Sequence, residues 1–129
     1  MDLSIEDIRQ WIEGAIADVY VDTTTENLFF FKGEERSFPF ATIVTRDDDY
    51  DRASELDREG LFRLNFQVPK PVFRSLFPDL ADREALEGAE IDYRALDTLF
   101  PHPVYGRMYW VSVINPNRTW PECKSLLLG

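Results

Sequence analysis

Between residues 61 and 68 the chain alternates strictly, with Phe62, Leu64, Phe66 and Val68 pointing one way and Arg63, Asn65 and Gln67 the other. A strand of that pattern has to bury one face, and a one-residue slip in pairing would carry every aromatic to the wrong side. The chain is therefore committed to a sheet with one apolar face. What covers the polar face decides the role of Arg63, Asn65 and Gln67. If helices cover only the apolar face, these groups line an open concave surface together with Tyr109 of a later strand, suited to a ligand or a second copy of the chain. The plainer reading is that they are ordinary solvent-facing strand residues.

The remaining elements arrange themselves around this strand. Ser4 and Asp7 are spaced as a capping box, Leu3 and Ile8 as a hydrophobic staple, and Ile5, Ile8, Trp11, Ile12, Ala15 and Ile16 recur at helical spacing. Residues 19–24 are β-prone, and residues 27–31 and 40–45 read as strands on either side of a turn-rich segment. Pro71 suits the first position of a helix ended by Pro78, and residues 82–87 and 92–100 read as two further helical stretches, the second with Leu96, Leu99 and Phe100 on its buried side. Residues 108–114 form the last strand. Thr119 and Glu122 are spaced as a capping box for a final helix that buries Cys123, Leu126 and Leu127. The order is α-β-β-β-β-α-α-β-α in one domain spanning residues 1–129.

Composition narrows the function classes. With 14 Lys and Arg against 24 Asp and Glu, the net charge is −10, and such a field repels phosphate backbones and anionic lipid. Neither nucleic-acid nor membrane binding is expected. The longest apolar runs fall well short of the roughly 20 residues of a membrane helix. Cys123 is the only cysteine, so no internal disulfide forms, and a reduced cytoplasmic setting follows from that and from the lack of a signal pattern at the N-terminus.

Few residues suggest chemistry. Asp47, Asp49 and Asp51 imitate the start of a calcium loop, but Arg52 stands where glycine is needed and Arg58 where a bidentate carboxylate is needed. The run reads as a solvated acidic loop offset by Arg46, Arg52 and Arg58. No metal site and no cofactor are expected, since one histidine and one cysteine do not make a structural zinc site and no phosphate-cradling glycine loop occurs. Cys123 reads as inert core. His102 is the one side chain whose ordinary pKa lies near neutrality. Held between Pro101 and Pro103, it either fixes a turn through a ring nitrogen, the favoured role, or acts as a general acid or base. Tyr105 has a hydroxyl to offer a ligand, and Gly106 suits a positive-φ bend.

Three stretches, residues 40–45 (FATIVT), residues 56–65 (LDREGLFRLN) and residues 102–106 (HPVYG), carry a resemblance. In that order and spacing the chain resembles, from Leu28 onward, an uncharacterised bacterial family of unknown function similar to MmcQ/YjbR-like proteins. The resemblance implies a small two-layer α+β domain, a mainly antiparallel sheet with helices packed on one face, and a C-terminal tail longer than this one. It implies no activity, substrate or cofactor. MmcQ/YjbR-like families have been associated with DNA binding, but the basic stripe this needs is missing here.

The preferred reading is a non-catalytic cytosolic binding or interaction domain for an unknown small molecule or protein, with a homodimer as one form of that. Its candidate ligand-binding residues are Arg63, Asn65, Tyr105 and Tyr109. The alternatives are a small hydrolase- or transferase-type enzyme using His102 with Arg63 or Tyr105 as electrostatic partner, and an acidic protein that binds a basic partner.

Overall fold

The Ser4 hydroxyl accepts the Asp7 N–H at 3.1 Å and the Asp7 carboxylate accepts the Ser4 N–H at 3.0 Å, so the expected capping box opens the first helix, α1 (Ile5–Ala15). These and the following contacts come from a computed structural model that describes residues 2–80 and 82–129. Helix α1 buries Ile8 and Ile12 completely. Strands β1 (Val19–Asp22), β2 (Leu28–Lys32), β3 (Ala41–Val44) and β4 (Arg63–Gln67) then form an antiparallel meander. Helices α2 (Lys70–Leu76) and α3 (Arg83–Gly88), the two-residue strand β5 (Phe100–Pro101), β6 (Trp110–Ile114) and α4 (Trp120–Leu128) follow.

Among the described residues the architecture is α+β, with four helices and a six-stranded sheet whose strands pair antiparallel in the order β1-β2-β3-β4-β6-β5. Register sorts the side chains. Phe30, Ala41, Phe66 and Val111 are in line across four strands, as are Leu28, Ile43, Leu64 and Val113. These rows face Ile8 and Ile12 of α1, Phe73 of α2 and Cys123 of α4 in one core. Trp11 and Trp120 join α1 to α4 edge to face at 5.4 Å. Burial pushes the Cys123 thiol up to about 12, which keeps it protonated and unreactive. No helix among the described residues is long and apolar enough to cross a membrane.

Three expectations are corrected. Residues 92–100 are not a helix: Leu96 is 53% exposed and bridges Ile114 in parallel, while Phe100 joins the sheet as β5. Two residues of strand leave no periodicity to read. Pro71 occupies the second position of α2, after Pro69 at the cap. The Thr119 capping box does not form, because the Thr119 hydroxyl instead donates to Asp97 at 2.6 Å.

Asp97, 22 residues upstream, instead pins the turn that leads into α4. Its carboxylate also accepts the N–H groups of Asn117, Arg118 and Thr119 at 2.8, 2.9 and 3.0 Å. Burial acts to raise the Asp97 pKa, but the bonds from the Thr119 hydroxyl and the three amides outweigh it and hold the group at about 2. A lowered carboxyl pKa stabilises above the unfolded value of 3.8, and that stability is lost as pH falls through about 2. Asp97→Ala is expected to lose about 1–2 kcal/mol at neutral pH, after allowance for solvent screening. Urea denaturation checks this, and the gap between wild type and variant should close on acidification toward pH 2.

Candidate functional site

On the opposite face of the sheet, Thr42, Asn65, Ser112 and Phe100 are in register across β3, β4, β6 and β5, with Val44, Arg63 and Ile114 two residues along. This face is closed over rather than open. Leu56 from the β3–β4 connection packs with Phe100 and Ile114, and Val44, Leu61, Ile91 and Tyr93 close around them. Arg63 and Asn65 are consequently 0% exposed, while Gln67, beyond the cover, faces solvent.

A fully buried guanidinium is stable only if its charge is neutralised and most of its five N–H groups find acceptors. The Arg63 Nε donates to Asn65 Oδ1 at 2.7 Å. Its Nη1 donates to Asp51 Oδ1 and to Ser54 Oγ, each at 3.0 Å. Its Nη2 donates to the second Asp51 oxygen, completing a bidentate ion pair, and lies 3.2 Å from His102 Nε2. Asn65 is held in turn: its Oδ1 accepts from Ser112 Oγ at 2.7 Å, and its Nδ2 donates to Thr42 Oγ1 at 3.0 Å. The polar strand face is thus a cross-strand network pinned to the acidic loop.

That loop differs from the sequence-based expectation. Asp51 lies inward on Arg63 with its side chain only 16% exposed. Asp47 accepts the Leu56 N–H at 2.9 Å, and Asp48 accepts the N–H groups of Tyr50 and Asp51. Arg46 pairs with Glu26, and Arg58 caps the carbonyls of Ser54 and Glu55. Of Arg46, Arg52 and Arg58, Arg52 alone faces the run, 3.9 Å from Asp49. Among the described residues, no group of three or more His, Cys, Asp and Glu is arranged to hold a metal ion.

His102 is 6% exposed. Its Nδ1 accepts the N–H groups of both Val104 and Tyr105 at 3.0 Å, which fixes the turn after Pro101. Two donors on Nδ1 leave that nitrogen as the lone-pair side, so the proton of the neutral ring resides on Nε2. Nε2 then presents its hydrogen 3.8 Å from the Asp51 carboxylate, and its 3.2 Å contact with Arg63 Nη2 sets two donors side by side, so the ring accepts nothing from the guanidinium. A second proton at Nδ1 would meet two amide hydrogens and place a cation against the guanidinium. Burial foremost, and then the Arg63 charge, lower the His102 pKa to about 3, with Asp51 and Asp48 acting in the opposite direction.

Of the residues singled out in the sequence, His102, Arg63 and Asn65 come together. The Tyr105 ring leans on His102 with centroids 5.1 Å apart but is 49% exposed. Tyr109 is elsewhere, edge to face with Phe73 of α2 at 5.6 Å. Asp51, Ser54, Thr42 and Ser112 belong to the network and were not singled out for it. The alternation of residues 61–68 aims Arg63 and Asn65 at one face, but nothing local says which carboxylate folds over it. Gly106 is buried without a positive φ, and a Cβ there would sit 3.1 Å from Pro101 Cβ. The positive φ falls on Tyr109, at 68°.

An α+β domain whose outer sheet face is closed around an Arg–Asp pair is the class these observations define. The chain belongs to DUF6194, a family of unknown function, whose model matches residues 3–129. No curated protein and no solved structure matches it.

Proposed function

We propose that this chain is a non-catalytic binding domain, cytosolic in setting and of the MmcQ/YjbR-like kind, that recognises a small molecule or a protein without turning it over. The observation that carries the reading is the state of His102. A general base needs a free lone pair, and the only lone pair of this ring is occupied by two backbone amides. A general acid at neutral pH needs a proton held with a pKa near 7, and this group is depressed to about 3. The Arg63 guanidinium is equally committed, with Asp51, Ser54 and Asn65 as its acceptors. The buried, reduced Cys123 and the three signature stretches support the cytosolic setting and the kinship.

Native mass spectrometry of protein isolated under non-denaturing conditions tests this reading. A discrete adduct is expected, retained in His102→Asn, because asparagine also accepts amide hydrogens in a turn. A turnover of hydrolase or transferase substrates that drops by about 10²-fold or more in a folded His102→Asn protein would overturn it.

A further inference from the structure

The protein is strongly acidic, yet one cleft reverses the sign. Four of its 14 Lys and Arg residues, Lys70, Arg74, Arg83 and Arg107, line a cleft of about 230 Å³ against a single carboxylate, Asp82. Asp82 Oδ1 is committed to the Ala85 N–H at 2.7 Å as the cap of α3. Arg83 is held by Glu87 at 2.8 Å, while Lys70, Arg74 and Arg107 make no ion pair among the described residues. Lys70 and Arg74 stand four apart on the same short helix, a like-charge pair that α2 tolerates without an internal anion. The floor is apolar, with Phe73, Leu80, Leu86 and Tyr109.

Backbone geometry points to the same place. Tyr109 is a bulky aromatic at φ 68° and ψ 32°, a conformation in which such a side chain is an outlier. Its own N–H bonds to the Gly106 carbonyl at 3.0 Å and its carbonyl accepts the Val68 N–H at 2.9 Å, so the strain is locked in and the ring is set against Phe73. Gly106 is hemmed in by Pro101 and Leu86, which lets the turn carrying Arg107 approach α3 closely.

We infer that this cleft binds a small organic anion, with its apolar body on Phe73 and Tyr109 and its carboxylate or phosphate head between Arg74, Arg107 and Lys70. The inference rests on the binding-domain reading and names its ligand class. The volume lies below the roughly 300–1,000 Å³ of sites for drug-sized ligands, so the ligand is of small-metabolite size. Within a field that repels anions, the local cations concentrate the attraction at the cleft and supply its selectivity.

The test is a titration of ¹⁵N-labelled protein followed by NMR, with benzoate, phenyl phosphate, inorganic phosphate and benzyl alcohol as probes. Benzoate or phenyl phosphate should shift the amides of Arg74, Gly106, Arg107 and Tyr109, and the tighter of the two assigns the head. Affinity should fall at least about tenfold in Arg74→Ser with Arg107→Ser, and also in Lys70→Ser, all exposed positions whose loss leaves the fold intact. Absence of shifts with both anions, or undiminished affinity in the serine variants, overturns the site. Benzyl alcohol binding as tightly as benzoate overturns its anionic character, and inorganic phosphate binding as tightly as phenyl phosphate overturns the role of the floor. None of these failures produces turnover, so the binding-domain reading is judged separately by the His102→Asn assay.

Discussion

Asp51→Ala is expected to destabilise the fold by about 3–5 kcal/mol, because it leaves a buried guanidinium without its counter-charge. Arg63→Met should lose less, about 1–2 kcal/mol, which reflects acceptors of Asn65 and Ser54 left short of a donor. The asymmetry follows from exposure. Arg63 is sealed at 0%, whereas the Asp51 side chain is 16% exposed and turns to water once its partner is gone. Methionine fills much of the volume of the arginine stem without a charge to solvate, and apolar replacement of buried ion pairs is often close to neutral. Urea midpoints at pH 7 with an unchanged slope measure both effects. Equal losses, or a larger one for Arg63→Met, would show that the pair is a net attraction and not a neutralised burial.

Acid should unfold the protein from an unusually high pH. His102 has an ordinary value of 6.5 but about 3 in the fold, so below 6.5 the unfolded chain takes up a proton that the native state refuses. Stability is full above 6.5 and is lost as pH falls toward 3, by up to about 1.4 kcal/mol per unit and on the order of 3–5 kcal/mol in all. The His102→Asn variant should be close to flat between about pH 6 and 5, above the window of the carboxylates. Thermal midpoints recorded across that range decide the matter, and parallel curves for wild type and variant would show that the ring titrates as freely in the fold as in the unfolded chain. Asp97 acts in a lower window, between 3.8 and about 2, so the two groups separate on one pH axis.

Much of the scaffold is legible in residue order, for reasons that are local. The Ser4 and Asp7 box needs only four neighbouring residues, and the apolar rows through Leu64 and Phe66 follow from a period of two. The site is legible by half. Alternation predicts that Arg63 and Asn65 share a face, and the proline bracket predicts a turn fixed by His102. Their burial depends on partners across the chain, Asp51 for Arg63 and Leu56 with Phe100 for the cover, and residue types carry no address. The same holds for Asp97, which pins the turn before α4 from 22 residues upstream, so the local Thr119 signal points to a cap that the fold does not form. At Gly106 the bend is read correctly and its conformational load is not, since the positive φ is carried three residues later by Tyr109.

The strand order has a kinetic side. Strands β1 to β3 meet their neighbours through short connections and β3 meets β4 through the loop of residues 45–62, but β4 reaches β6 only after residues 68–109 have been traversed. Thr42, Asp51, Ser54, Arg63 and Asn65 all precede that excursion, while His102 lies near its end and Ser112 follows it. The hairpins of β1, β2 and β3 need only local closure, and the pairing of β4 with β6 is the slow closure that topology imposes. Until β6 docks, Arg63 and Asp51 are still in water. Commitment of the ion pair to a low-dielectric interior therefore coincides with the longest-range strand pairing of the sheet, so the transition from collapsed chain to native sheet is also the moment at which two charges are dehydrated.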